Sequence, residues 1–442
     1  MKLPATTVPL LAALLLPATH FATARPRYTV TDLGDNSPNA INNAGQVVGS
    51  TNLPIYDAPG APSHAFLYEK GTLTDLGALP GDTDSGAADI NENGVIIGSS
   101  SAGGVSHSFI YQNGAMTQVS IPVPAPYTDF TISGINNAGR IVGTFSSDYP
   151  STPFLSIDGV AKDLGAFSHD LKYSSPAGFA AAINTRGQVV GAAAIRLKNK
   201  REGLRAFLYS GGKLKDLGAL GGTNSYAYAI NDRGQIVGIA DTARNTQNRE
   251  PYVHAFLYDN GRMLDLGTLG GLSSTASDIN SHGIVVGAGG LKKYDLRGKT
   301  GTHAFLSNNG GPLTDLNTLL PPGWSLDNAS AINDIGQILA TGRNPAKQFH
   351  YYILTPVPSL TVAGGKRLST RNGSLVVRGT ANDIVDQVTF RVGSRGAFRK
   401  AQGPATRWHF NAGLMHGKNH IAIRARSRAG ETSSTRITVT RN

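Results

Sequence analysis

Five histidines recur at one place in a repeated phrase: His64, His107, His254, His303 and His350. Imidazole ligates metals and moves protons near neutral pH, so five of them converging would make a metal or acid–base centre. A second set is acidic. Asp32, Asp75, Asp163, Asp216 and Asp265 each open the tripeptide Asp-Leu-Gly, with Asp315-Leu-Asn as a variant. A third set, Asp89-Ile-Asn-Glu-Asn-Gly94 and its echo Asp278-Ile-Asn-Ser-His-Gly283, spaces oxygen atoms somewhat as a calcium loop does. Each set has a plainer reading beside it. Ala40, Ala182, Ala229 and Ala331 stand where those two copies carry Asp, which argues against metal. The histidines read as strand-end donors to neighbouring backbone, and the aspartates as turn-capping acceptors. Gly-Xaa-Ser-Xaa-Gly and His-Glu-Xaa-Xaa-His motifs are absent. So is cysteine, which excludes thiolate metal sites, Cys nucleophiles and disulfides. No residue is assigned to catalysis or to metal, and no cofactor is expected.

These side chains belong to a repeat. Ile41, Ile90, Ile135, Ile183, Ile230, Ile279 and Ile332 are each followed by Asn and, three residues later, by Gly. Successive copies are 49, 45, 48, 47, 49 and 53 residues apart, a period typical of propellers and solenoids. A second phrase centres on Phe66, Phe109, Phe154, Phe207, Phe256, Phe305 and Tyr352. Each copy reads as four short strands rich in β-branched and aromatic residues and bounded by Gly and Asn. Helical spacing and helix caps are absent. Four strands per copy, seven times, predict an all-β, seven-bladed β-propeller over residues 28–354. The chain opens with a fourth-strand phrase, Tyr28–Gly34, and the last copy lacks one. The N-terminal strand 28–34 is therefore expected to complete the last blade and remove an open edge. An open solenoid is the alternative, with both ends uncapped.

The three phrases in fixed order resemble the HAF extracellular repeat family of bacterial secreted proteins. The tripeptide itself stands at His64, His254 and His303, with His107-Ser-Phe, Pro153-Phe, Arg205-Ala-Phe and His350-Tyr-Tyr as departures. The resemblance implies an extracellular β-repeat protein and carries over no activity, substrate or catalytic residue.

Residues 1–24 read as a signal peptide: Lys2, an apolar Val8–Leu16 core and Ala22-Thr-Ala24 for cleavage. No run elsewhere is long and apolar enough for a transmembrane helix. The expected location is secreted or extracellular, at the cell surface or in the periplasm. The formal charge is +11, and it is uneven. Residues 359–442 hold fifteen Lys and Arg against Asp383, Asp386 and Glu431. Thr355–Ser359 reads as a linker, and 360–442 as a basic β-sandwich of short alternating strands. Val-Arg-Gly-Thr-Ala381, Trp408-Xaa-Phe410 and Gly417-Lys-Asn-His-Ile421 resemble immunoglobulin-like modules that close bacterial surface proteins.

Function is expected where the copies differ. The connections between second and third strands vary most, and insertions confined to one face mark a binding face. Three consecutive ones are basic, carrying Arg196, Lys198, Lys200 and Arg201, then Arg244 and Arg249, then Lys292, Lys293, Arg297 and Lys299. In the tail, Arg424, Arg426 and Arg428 share one face of a strand, about 6.6 Å apart. Such charge attracts an anionic polysaccharide, a cell-wall component or an extracellular protein, with nucleic acid less favoured. Ordinary solvated charge is the alternative. The reading favours a non-enzymatic binding or surface-structural protein. The other class is a lyase or glycoside hydrolase using the central funnel.

Overall fold

The computed structural model describes residues 27–52, 62–147, 151–167, 178–196, 202–244, 251–294, 300–381, 385–395, 397–427, 430 and 432–442. The signal-like segment 1–24 lies outside them. The chain divides into two units, Pro26–Pro358 with Arg426–Thr432, and Ser359–Ala425 with Ser433–Asn442.

The first unit is a β-propeller of four-stranded antiparallel sheets. Seven such sheets form among the described residues, one for each copy of the repeat. The first is Ser37–Ile41, Val47–Asn52, Ser63–Glu69 and Thr72–Gly77, and the others follow the same order. Ile-Asn-Xaa-Xaa-Gly closes the turn between first and second strands. In every copy the Gly has positive φ, between 73° and 84°, a conformation Gly adopts without a Cβ penalty. The next glycine has a packing role. Gly143 pairs with Phe154, and a Cβ there would strike the Thr131 carbonyl and the Phe154 ring. Phe66, Phe109, Phe154, Phe207, Phe256, Phe305 and Tyr352 are all fully buried. Each burial contributes about 2 kcal/mol or more from area alone.

The seven sheets form a closed cycle. First strands of consecutive sheets touch in sequence, and the last, Ser325–Ile332, touches the first, Ser37–Ile41. The repeat Asn side chains carry the cycle. Asn42 Nδ2 donates to the Asn91 carbonyl at 3.1 Å, Asn91 to Asn136, Asn136 to Asn184, Asn184 to Asn231, Asn231 to Asn280 and Asn280 to Asn333. Asn333 Nδ2 then donates to the Asn42 carbonyl at 2.9 Å, returning to the start across 291 residues. Each Asn Oδ1 accepts from backbone N–H groups of its own turn, as Asn136 does from Ala138 and Arg140. A buried amide with all its groups paired is rigid, and unpaired it would be costly.

Strand Arg27–Gly34 pairs antiparallel with Phe349–Val357 as the outer strand of the seventh sheet. The expected linker is corrected here. Thr355, Pro356 and Val357 continue that strand, opposite Thr29, Tyr28 and Arg27. Pro356 is tolerated because pairing on the other side ends at Leu354, so no ladder hydrogen bond is lost. The absence of helix is corrected as well. After a two-residue strand at Thr314–Asp315, Leu316–Leu319 forms a 3-10 turn capped by the Asp315 side chain. Leu316 and Leu319 go into the core, so a turn of helix replaces most of the fourth strand there.

The second unit has a three-stranded and a five-stranded sheet that share one core. Val377, Trp408 and Phe410 come from the smaller sheet. Val388, Phe390, Ile421, Ile423, Ile437 and Val439 come from the larger. Phe390 and Phe410 stack at 3.8 Å between the two.

Candidate functional site

The repeat histidines do not converge, and their partners are not backbone. Nδ1 of His64 lies 3.0 Å from the Asp75 carboxylate, His254 2.9 Å from Asp265, His303 2.7 Å from Asp315 and His350 2.9 Å from Asp32. The two phrases sit on adjacent third and fourth strands, and an eleven- or twelve-residue separation places the side chains together. The same Asp also accepts the backbone N–H of the Gly two residues on, as Asp75 does from Gly77. The His350–Asp32 pair spans the two ends of the propeller. Where the repeat departs, the pairing changes: Thr152 donates to Asp163 at 2.7 Å, and His107 turns to Asp82 at 3.1 Å. The second copy keeps His107 but has Gln118 in place of the Asp, and the third keeps Asp163 but has Thr152 in place of the His, so each retained residue finds a different partner.

The calcium-like loops are also scaffold. Asp89 accepts from Ile90 N and from Ile135 N of the next sheet, and Asp278 from Ile279 N and Ile332 N. Both carboxylates are enclosed by protein and keep only part of their surface accessible. Desolvation pushes Asp89 up to about 7, and Asp278 adds to this. Desolvation pushes Asp278 up to about 6, with Asp334 contributing. Next along the axis, the residues after the repeat Asn link sheets in their turn. Asn43 N donates to Glu92, Thr185 N to Asp232, Ser281 N to Asp334 and Asp334 N to Asn43. Burial, then the like charges of Asp334 and Asp232, raise Glu92. Among the described residues no group of three or more His, Asp or Glu is placed to hold a metal ion.

Of the basic propeller loops, Lys198, Lys200, Arg201, Arg249, Arg297 and Lys299 lie outside the described residues. Arg244 and Lys293 are on strand ends whose side chains are not described, and Lys292 is exposed. Arg196 forms an ion pair. Its guanidinium lies 2.8 Å from Glu202, its register partner across the hairpin.

The second unit presents the basic residues together. In Gly417–Ser427, Ile421, Ile423 and Ala425 are buried while Arg424 and Arg426 are exposed, the alternation of a half-buried strand. Arg428 lies outside the described residues. Neighbouring strands add to the same outer face. Arg436 is out of phase with core Ile437, and Arg391 with core Phe390. Arg367 is opposite outward Thr438, and Lys400 opposite outward Thr389. With Lys418, seven basic residues share the outer face of the five-stranded sheet, and among the described residues the acid on its strands is Asp386, exposed near the start of Val385–Val392. Phe398 covers part of it: the Arg424 guanidinium lies 4.0 Å from its ring centre and that of Arg391 4.9 Å. Sequence reasoning found the row on one strand and missed the rest, because sheet order brings Arg391, Lys400 and Arg436 beside it.

No family model and no curated protein matches the chain. Among solved structures, it is similar to the β-propeller domain of the Trilobed protease from Pyrococcus furiosus. That likeness has 9% identity and a TM-score of 0.47, covering 74% of this chain and 93% of that one. It is similar to the extracellular domain of a putative hybrid two-component system from B. thetaiotaomicron, with 12% identity and a TM-score of 0.38. There it covers 95% of this chain and 58% of that one. A gluconolactonase from Xanthomonas campestris shares 11% identity over 75% of this chain and 94% of its own, at a TM-score of 0.33. No described helix is long and apolar enough to cross a membrane.

Proposed function

We propose that this is a secreted, non-enzymatic binding protein of the HAF-repeat type. A seven-bladed propeller closed by the N-terminal strand carries an immunoglobulin-like module that engages an anionic extracellular partner. The observation that supports this reading is the outer face of the five-stranded sheet. Seven cations, with Asp386 the acid described on the strands of their sheet, repel one another and are stabilised by a bound polyanion. The test is binding of the full chain to heparin at low and physiological salt. Affinity should fall with salt, and Arg424→Glu with Arg426→Glu should weaken it at least about tenfold. Unchanged affinity in that double variant would sink the assignment of this face.

A second reading rests on Asp89 and Asp278, two enclosed carboxylates that desolvation raises to about 7 and about 6, the charge of Asp278 adding to the rise at Asp89. A lyase or glycoside hydrolase would use such a pair. If one operates, Asp89→Asn and Asp278→Asn should abolish product formation from acidic polysaccharides while the fold, followed by circular dichroism, persists.

A further inference from the structure

The basic face has features that narrow its partner, on the premise that the face binds an anion at all. Two of its arginines do not extend freely into solvent. Phe398 lies against the guanidiniums of Arg391 and Arg424, which come from adjacent strands of the sheet. Arg391 Nε is buried with no acceptor among the described residues, where packing rather than an ion pair holds this side chain. No ion pair among the described residues involves any of the seven. A guanidinium packed against a ring is restricted in the orientations it takes, and its N–H groups form a planar fork. That fork matches the two oxygens of a carboxylate or sulfate better than a mobile ammonium does.

The residues between the cations are informative too. Gln387, Thr389, Ser434, Thr438 and Thr440 occupy the outward positions of the neighbouring strands. These are short amide and hydroxyl side chains, able to donate to and accept from a partner's hydroxyls. Single-stranded nucleic acid is gripped by a series of aromatic platforms on which successive bases stack. Here the aromatic rings on the face are Phe398, already against two guanidiniums, and His420, which lies 3.3 Å from the Thr438 hydroxyl. Duplex DNA is read by elements that enter a groove, typically a helix or a two-stranded ribbon, whereas here the cations are spread over a five-stranded sheet.

We infer that the partner is an acidic polysaccharide. Its carboxylate or sulfate groups would seat on the Arg391–Phe398–Arg424 cluster, and its ring hydroxyls would meet the Thr, Ser and Gln between the cations.

The experiment compares four probes on the full chain by isothermal titration or biolayer interferometry at one salt concentration. They are polygalacturonate for carboxylate, dextran sulfate for sulfate, and a single-stranded and a duplex oligonucleotide of matched charge. At least one polysaccharide should bind about tenfold tighter than either oligonucleotide, and the carboxylate and sulfate arms identify the group preferred. The charge-preserving pair Arg391→Lys and Arg424→Lys should weaken the preferred polysaccharide about tenfold and leave the oligonucleotides within about twofold. Both positions reach the surface, and circular dichroism checks that the variant is folded. Oligonucleotides binding as tightly as the polysaccharides would overturn the inference and leave the anionic-partner reading standing. Equal loss for all four probes would also overturn it, because charge alone would then explain binding. If none of the four bound, both readings would fall.

Discussion

The two units treat charged and polar side chains in opposite ways. In the propeller, the groups that look chemical are consumed by the scaffold. His64 answers Asp75, Asp89 answers two backbone N–H groups, and Asn42 ties one sheet to the next. In the second unit, the core is apolar and the cations face outward, outnumbering Asp386, the acid described on the strands of their sheet. A repeat must place identical polar residues where each finds a partner one period away, or seven copies would each bear a desolvation penalty. A sandwich with one small core has no such constraint on its outer face, and its charges are available for a ligand.

That contrast can be broken experimentally, most sharply in the propeller core. Phe154→Ala should lower stability by about 3–5 kcal/mol, and Gly143→Ala by about 1–3 kcal/mol through overlap with Thr131 and Phe154, both read from chemical denaturation. Values near zero would mean that the copies do not depend on this packing. Asn136→Ala removes a donor to Asn184 and an acceptor for Ala138 and Arg140. A loss of about 2–4 kcal/mol is expected from the buried groups left unpaired. A loss below about 0.5 kcal/mol would show that the closed ring of amides is not a source of stability.

The pH dependence comes next. Asp89 and Asp278 have folded-state values raised above the ordinary carboxylate value near 4, to about 7 and about 6. Over that window the folded chain holds more protons than the unfolded chain, so these two groups make stability fall as pH rises from about 4 to about 7. Replacing both by Asn should flatten the melting temperature across that range. A slope equal to that of the unaltered protein would show that the pair does not set it. The smallest effect is expected at the surface: Asp32→Asn weakens the partly exposed clasp to His350 by about 0–1 kcal/mol. A far larger loss would mean that this clasp, rather than the strand pairing of Arg27–Gly34, holds the ring closed.

Much of the scaffold could be read from the residues. The all-β class follows from β-branched runs between Gly and Asn, and the repeat length from the Ile-Asn spacing. The turn role of the repeat Gly follows from its need for positive φ. The partners of the histidines were less legible. Histidine at a strand end can bond to backbone or to a side chain on the next strand, and only strand register decides. The helical turn at Leu316–Leu319 was hidden because Asp315-Leu-Asn reads as a decayed strand phrase.

By itself the sequence determined the local geometry of each copy: which residues turn, which alternate and which must be buried. It also determined the charge of residues 359–442. Tertiary structure decided which groups meet across long separations. The Asn333–Asn42 closure spans 291 residues, and Arg391, Phe398 and Arg424 gather from three places in the chain. Local propensities act over a few residues, whereas these contacts exist only once the sheets are stacked and ordered. For that reason the scaffold could be read from periodicity, and the basic face emerged only from sheet order.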